Sequence, residues 1–111
     1  MTEQNLMASE VKDGRIVIQL RGEIDLSNVE GLESQIDRAI ADVESVVIDL
    51  TAVEFIDSRG LRLLKRISTD VSARNATFAV VAPPSSIARS LLDMTHMSAE
   101  LAVSDSLQDS G

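Results

Sequence analysis

The sequence predicts a small α/β domain with a mixed β-sheet, in which an N-terminal hairpin is followed by parallel strands packed with amphipathic helices. A two-residue turn signal, Asp13-Gly14, separates the first two strand patterns. Strand and helix patterns then alternate along the rest of the chain, as expected of parallel crossover connections. The run at residues 46–48 is entirely β-branched, which is typical of a strand buried on both faces.

Length and composition narrow the functional classes. The chain has 111 residues, and we expect residues 1–111 to form a single domain. The net charge of −8, from 10 basic and 18 acidic residues, disfavours nucleic acid and anionic membranes as partners. Cysteine is absent, which excludes disulfides and thiolate metal sites. No apolar run approaches the ~20 residues of a membrane span, and no signal-peptide pattern opens the chain, so we expect a cytoplasmic protein.

The N-terminal half predicts two strands and a helix. Residues 6–11 form a weak first strand, and residues 15–21 alternate between apolar and polar, so the two strands should pair antiparallel. Residues 22–26 are a connector. Ser27 stands three residues before Glu30, the spacing of a capping box, and a helix is expected over 28–41.

The C-terminal half predicts two more buried strands and two more helices. A short loop carrying Phe55 and Ile56 follows the central strand, and a helix over 58–73 turns its apolar residues inward: Leu61, Leu64, Ile67 and Val71. A buried strand at 77–82 ends at two prolines, after which Ser85 or Ser86 caps a third helix. Residues 99–103 should add a short edge strand or helix. We expect an ordered core over 6–103 and a flexible polar tail over 104–111.

The stretch Asp57-Ser58-Arg59-Gly60 lies where the central strand meets the second helix, at the rim where α/β sheets usually place functional residues. Asp57 or Ser58 can cap the helix, and Gly60 allows another backbone or a phosphate to approach closely. One interpretation of Ser58 is a plain N-cap, and the other is a serine exposed for modification. Both interpretations fit the sequence.

Charged residues near this stretch also have two interpretations. Glu23 and Asp25 either contact a partner at the same rim or form a turn with an extra cap. Four of the 10 basic residues fall within eight positions, outside the apolar stripe of the second helix: Arg59, Arg62, Lys65 and Arg66. They form either a solvated helix face or a positive patch for an acidic partner or a phosphate.

Catalytic patterns are missing from the sequence. It contains neither a GxxxxGK phosphate loop nor a GxGxxG fingerprint. Ser58 lacks the glycine two residues earlier that a hydrolase nucleophile elbow requires, and His96 is the only histidine that could serve as its base. Asp49 could suggest a receiver-type phosphoacceptor, but no lysine follows Lys65. We therefore expect neither an enzyme nor a metal or cofactor site.

Three motifs resemble the STAS domain of bacterial anti-sigma factor antagonists: GEID at 22–25, VIDL at 47–50 and FIDSRGL at 55–61. The segment at 84–94 is similar too, and the resemblance covers residues 6–103. It implies a partner-switching protein, whose unphosphorylated form binds an anti-sigma factor that is also a serine kinase. A sigma factor is thereby released. The kinase phosphorylates the serine after the motif's aspartate, here Ser58, and a metal-dependent serine phosphatase restores the active form.

The basic cluster and its nearness to Ser58 also predict a partner-binding surface, and the chain departs from the family pattern at one residue. The predicted surface comprises the rim residues and the outer face of the second helix: Glu23, Asp25, Asp57, Ser58, Arg59, Gly60, Arg62 and Arg66. Family members often carry a second serine or threonine where this chain has Arg59, a change that bears on kinase recognition. Two alternatives remain: a STAS subunit of a transporter or signalling scaffold, and, more weakly, an enzyme that uses Ser58.

Overall fold

The computed structural model describes residues 6–107, in which five strands form a single sheet in the order β1-β2-β3-β4-β5. The strands are β1 (Met7–Lys12), β2 (Arg15–Ile24), β3 (Ser45–Ile56), β4 (Thr77–Val81) and β5 (Val103–Ser104). The helices are α1 (Val29–Ile40), α2 (Ser58–Ala73) and α3 (Ile87–Met94). β1 and β2 pair antiparallel, and every later pair is parallel. The predicted mixed sheet with an N-terminal hairpin is confirmed.

The hairpin turn has the chemistry that the sequence predicted. Asp13 and Gly14 both have positive φ, 54° and 78°, the conformation that suits a two-residue turn between right-twisted strands. The pairing runs from Met7 opposite Leu20 to Lys12 opposite Arg15. This register turns the apolar residues of β2 into the core: Ile16, Ile18 and Leu20.

The core lies between the sheet and the helices. Residues 46–50 of β3 are all buried, as the β-branched run predicted. The four inward positions predicted for α2 are buried against the same core, together with Leu32, Ile36 and Ile40 of α1. The helix α2 ends at Ala73, followed by Asn75 in a left-handed conformation at φ 64°, a common way for a helix to stop.

The loop predicted after Leu50 is wrong, because β3 continues to Ile56 and pairs there with Ile24. Two register shifts in the pairing of β2 with β3 explain why the sequence pattern did not predict this continuation. From Gln19 to Arg21, β2 advances two residues while β3 advances three, and a second extra residue follows before Phe55. Each extra residue interrupts the alternation of buried and exposed positions by which a strand is recognised. The extended β3 carries the chain past its last pairing with β4, at Asp49 opposite Val81.

The C-terminal elements refine three expectations. Ser86, rather than Ser85, caps α3, since its Oγ accepts the backbone N–H of Arg89 at 3.1 Å. The expected edge element is the two-residue strand β5. Its second residue, Ser104, was assigned to the flexible tail but belongs to the sheet, because its carbonyl accepts the N–H of Ala82 at 2.9 Å. Residues 108–111 of the expected tail lie outside the described part of the chain.

Candidate functional site

Asp57 fixes the start of α2 and joins it to the preceding loop. Its Oδ1 accepts the backbone N–H groups of Arg59 at 2.9 Å and Gly60 at 3.1 Å. Its Oδ2 accepts the N–H of Leu26 at 3.3 Å, and its own N–H donates to the carbonyl of Ile24 at 3.0 Å. A single carboxylate thus caps the helix and holds a segment about thirty residues earlier in the chain.

Ser58 is the first residue of α2 and is exposed. Because Asp57 supplies the cap, the hydroxyl of Ser58 is not needed for it, and it makes no hydrogen bond to any residue between 6 and 107. The structure therefore decides between the two expected caps in favour of Asp57. Ser58 is thus exposed at the first position of α2, two residues after β3 ends.

The rim loop, residues 23–28, begins with the last two residues of β2 and is held by its own side chains as well as by Asp57. Asp25 Oδ1 accepts the N–H of Ser27 at 2.9 Å and its hydroxyl at 2.5 Å. Asn28 Oδ1 accepts the N–H of Asp25 at 3.0 Å, and Asn28 Nδ2 donates to the carbonyl of Glu23 at 2.8 Å. Asp25 therefore forms a turn, one of its two expected roles.

The capping box expected from Ser27 and Glu30 is wrong. Asn28 occupies the N-cap position of α1, and no side chain caps that helix. The hydroxyl of Ser27 is directed to Asp25 instead, and the amide of Asn28 ties the rim loop together. The polar side chains here stabilise the loop rather than the helix that follows it.

Gly60 is required by packing inside the protein. A Cβ atom added at this position would lie 2.5 Å from Cγ1 of Ile56 and 3.1 Å from Cγ2 of Ile24, distances that real Cβ atoms scarcely show. The residue is buried. The close approach that glycine allows is thus made by the ends of β2 and β3, which bring α2 down onto the sheet.

Half of the basic cluster of α2 is neutralised by ion pairs, and Arg66 makes most of them. Arg66 contacts three carboxylates, those of Glu33 at 2.6 Å, Asp37 at 2.8 Å and Asp70 at 2.5 Å. The hydrogen bond to Asp37, followed by the charges of Asp37 and Glu33, raises the pKa of Arg66 despite partial burial, so this guanidinium stays charged.

Two of the four clustered cations remain available. Lys65 pairs with Glu100 at 3.4 Å. Arg59 and Arg62 are exposed and form no ion pair with any residue of the described range 6–107. The positive patch expected beside Ser58 is therefore reduced to Arg59 and Arg62, while Arg66 joins α2 to α1.

A family model described as the STAS domain matches residues 7–110. The chain belongs to the STAS domain family. Anti-sigma-F factor antagonist RsfB of Mycobacterium tuberculosis is 41% identical over 71 residues, covering 63% of this chain and 57% of RsfB. The match thus spans less than two thirds of that relative's length.

Solved structures share the fold of this STAS domain. An anti-sigma factor antagonist from Mycobacterium paratuberculosis superposes with a TM-score of 0.83 at 30% identity, over 94% of this chain and 88% of that one. The anti-sigma factor antagonist SpoIIAA of Bacillus, in its unphosphorylated form, superposes with a TM-score of 0.75, over 93% of this chain and 90% of that one. At 22% identity, this second likeness concerns the fold alone.

Two further residues that the sequence offered for catalysis, Asp49 and His96, form no site with other described residues. Asp49 is 8% exposed, and its Oδ1 accepts both the N–H and the hydroxyl of Thr51, at 2.9 and 2.6 Å. His96 is exposed after α3. Within residues 6–107, no three histidine, aspartate or glutamate side chains gather as a metal site would require. None of the described helices is long and apolar enough to cross a membrane.

Sequence reasoning missed two residues beside the serine. Leu26 of the rim loop is 64% exposed, and Phe55 near the end of β3 is 44% exposed. Leu26 stood in a connector with no assigned role, and Phe55 was assigned to a loop that does not exist. Their exposure follows from the rim-loop geometry and the extra residues of β3, and neither feature has a clear sequence signal.

Proposed function

We propose that this STAS domain is an anti-sigma factor antagonist controlled by phosphorylation of Ser58. In its unphosphorylated form it binds an anti-sigma factor that is also a serine kinase, and a sigma factor is released. The observation that carries this proposal is the exposure of Ser58 at the start of α2, with a hydroxyl that makes no hydrogen bond within residues 6–107. The names of RsfB and of the Mycobacterium paratuberculosis structure support it.

The partner surface we propose combines the rim loop with the start and outer face of α2. Glu23, Ser58, Arg59 and Arg62 offer exposed polar groups to the partner. The other residues of the predicted surface shape it: Asp25 holds the rim loop, Asp57 caps α2, Gly60 seats α2 on the sheet, and Arg66 fixes α1. In this proposal the domain acts by binding in the cytoplasm and needs no catalytic group, metal or cofactor of its own.

A phosphate on Ser58 would mainly weaken the complex with the partner. It adds roughly −1.5 to −2 charges at a position that we propose to be buried by the partner. Burying a charge without a compensating group costs several kcal/mol, and each ~1.4 kcal/mol lowers affinity about tenfold. Arg59, which has no ion pair among the described residues, is available to the phosphate. A serine phosphatase would then restore binding.

Affinity capture with two variants tests this function. Ser58→Ala should retain an ATP-binding anti-sigma factor, which mass spectrometry identifies, and Ser58→Asp should retain less of it. In titration calorimetry with that partner, phosphorylation of the wild-type protein should lower affinity about a hundredfold or more. Phosphatase treatment should restore binding. Equal affinities of the phosphorylated and unphosphorylated proteins would refute the switch.

Arg62 supplies a second prediction about the same surface. We propose that Arg62 faces an acidic group at one edge of the kinase surface. Reversing its charge, Arg62→Glu, should therefore slow association with the kinase at low salt and have a smaller effect at high salt, because rim charges act chiefly on the on-rate. Arg38→Glu is the matched control, since Arg38 is exposed in the last turn of α1, away from Ser58. Stopped-flow association rates at several salt concentrations measure both variants. Equal effects of Arg62→Glu and Arg38→Glu on the association rate would mean that Arg62 belongs to a solvated helix face and not to the partner surface.

A further inference from the structure

Two large apolar side chains are exposed next to Ser58. Leu26 is 64% exposed, and its backbone N–H donates to Oδ2 of Asp57, the residue before the serine. Phe55 is 44% exposed and lies three residues before Ser58, so about 10 Å of chain separates their Cα atoms at most. We call Leu26 and Phe55 the anchor pair. The hydrogen bond from Leu26 to Asp57 and the end of β3 at Ile56 place both residues at the same end of the sheet. Large apolar residues exposed in one region of a surface are typical of binding sites.

Both members of the anchor pair sit on ordered backbone. Phe55 pairs with Glu23 between β3 and β2. Leu26 lies within the rim loop, which is fixed by the hydrogen bonds of Asp25 and Asn28 described above. Backbone that is already held in place loses little conformational freedom on binding, which favours affinity.

Acidic residues lie next to the anchor pair, in sequence or in the sheet. Glu23 and Glu54 are exposed, and Asp25 is half-buried. None of the three forms an ion pair with a residue in the described range 6–107. Apolar anchors with adjacent carboxylates that form no ion pair within residues 6–107 complement an apolar pocket edged by basic residues.

We propose that the anchor pair inserts into an apolar pocket on the anti-sigma factor, and that basic residues at the pocket's edge face Glu23 and Glu54. This inference rests on the proposed function and names the chemistry of its partner surface. It also explains why phosphorylation is effective at Ser58. The phosphate would be placed beside the two side chains that must leave water for the complex to form, where an added charge is most costly.

Val11 provides a matched control for apolar exposure. It is 59% exposed on β1 and lies opposite Ile16, which in turn lies opposite Val46 at the start of β3. Strands rise about 3.3 Å per residue, so Val11 lies at the other end of the sheet, roughly 25–30 Å from the end of β3. Truncating Val11 therefore removes a similar exposed side chain far from Ser58.

Titration of the captured anti-sigma factor with Leu26→Ala, Phe55→Ala and Val11→Ala tests the proposal. Each anchor variant should bind about tenfold more weakly or worse, as for interface hot spots, and Val11→Ala should stay within about twofold of wild type. Thermal melts confirm that the variants are folded. Leu26→Asp is the second variant should Phe55→Ala fail to fold, and it should lose at least as much affinity as Leu26→Ala.

Glu23→Gln and Glu54→Gln together should reduce the salt dependence of binding, because two charge pairs are removed. Two results separate the failure of this inference from the failure of the proposed function. If wild type binds, phosphorylation abolishes binding and both anchor variants lose less than threefold, the anchor pair is refuted while the function stands. If unphosphorylated wild type does not bind, the proposed function is refuted and the anchor pair falls with it.

Discussion

Neighbouring residues at the start of α2 have opposite roles. Asp57 has three backbone N–H groups on its carboxylate, whereas Ser58 has no hydrogen bond on its hydroxyl within residues 6–107. An N-cap is worth about 1 kcal/mol, so the helix depends on Asp57 and is insensitive to the serine side chain. The sequence could not separate the two, since aspartate and serine are equally good caps. The separation allows Ser58 to be modified without loss of the helix.

The packing of Gly60 gives a prediction with a built-in control. Gly60→Ala forces a methyl group to 2.5 Å from Ile56, and overpacking of this kind costs about 1–3 kcal/mol, partly offset by better helix propensity. Gly31 lies on the exposed face of α1, and a Cβ atom added there would have no neighbouring atom within 4 Å apart from the backbone of its own helix. Gly31→Ala should therefore raise the free energy of unfolding by up to about 1 kcal/mol. Denaturant unfolding measures both. Equal changes in the free energy of unfolding for the two variants would show that the side chain of Ile56 can move aside and that glycine is not required at position 60.

Secondary structure was predictable where local signals agree with tertiary packing. α2 was predicted at its observed bounds, because a capping residue, a clear apolar stripe and an Arg-Asn stop coincide. β3 was predicted only to Leu50, because its two extra residues remove the alternation that marks a strand. The start of α1 was placed within a residue, but its cap was wrong, because Ser27 bonds to Asp25 in a loop whose shape depends on Asp57.

The contact between α1 and α2 depends on Arg66. Removing its guanidinium in Arg66→Ala leaves Glu33, Asp37 and Asp70 facing one another without their shared cation. Because Arg66 is about one third exposed, solvent screening limits the expected loss to about 1 kcal/mol. Arg62 lies on the same helix and forms no ion pair with residues 6–107, so Arg62→Ala should change the free energy of unfolding by less than about 0.5 kcal/mol.

Salt distinguishes an electrostatic role of Arg66 from a packing role. At about 1 M salt the Debye length falls to roughly 3 Å, so the difference in unfolding free energy between Arg66→Ala and Arg62→Ala should narrow. Thermal or urea unfolding at low and high salt measures it. A difference that is independent of salt would assign the contribution of Arg66 to the burial of its aliphatic stem.

Over the whole molecule, the parallel strands and the elongated β3 carry the serine to one end of the sheet. The sequence predicted this placement, because a buried strand that leads directly into a helix puts the connecting residues at that end. The apolar part of the rim was not predicted, since it depends on how a loop and a bulged strand turn Leu26 and Phe55 outward. With a net charge of −8, the domain also favours basic surfaces as partners.

The last prediction concerns the stability of the phosphorylated protein. Phosphorylation of Ser58 removes no native hydrogen bond, because the hydroxyl has none within the described residues. The positive end of α2 favours the new charge by about 0.3–1 kcal/mol, and the carboxylate of Asp57 opposes it from the adjacent position. Arg59 has no ion pair among residues 6–107 and can offset that repulsion. These contributions nearly cancel, so the melting temperature should change by less than about 3 °C.

Differential scanning calorimetry of the phosphorylated and unphosphorylated proteins measures this change, and Arg59→Ala is the informative variant. Phosphorylated Arg59→Ala should melt a few degrees lower than phosphorylated wild type, since the repulsion between phosphate and Asp57 is then uncompensated. Unphosphorylated Arg59→Ala should melt with wild type, because Arg59 is exposed and forms no ion pair with a described residue. A fall of ten degrees or so on phosphorylation of the wild type would mean that the switch acts by unfolding the domain rather than by excluding the partner.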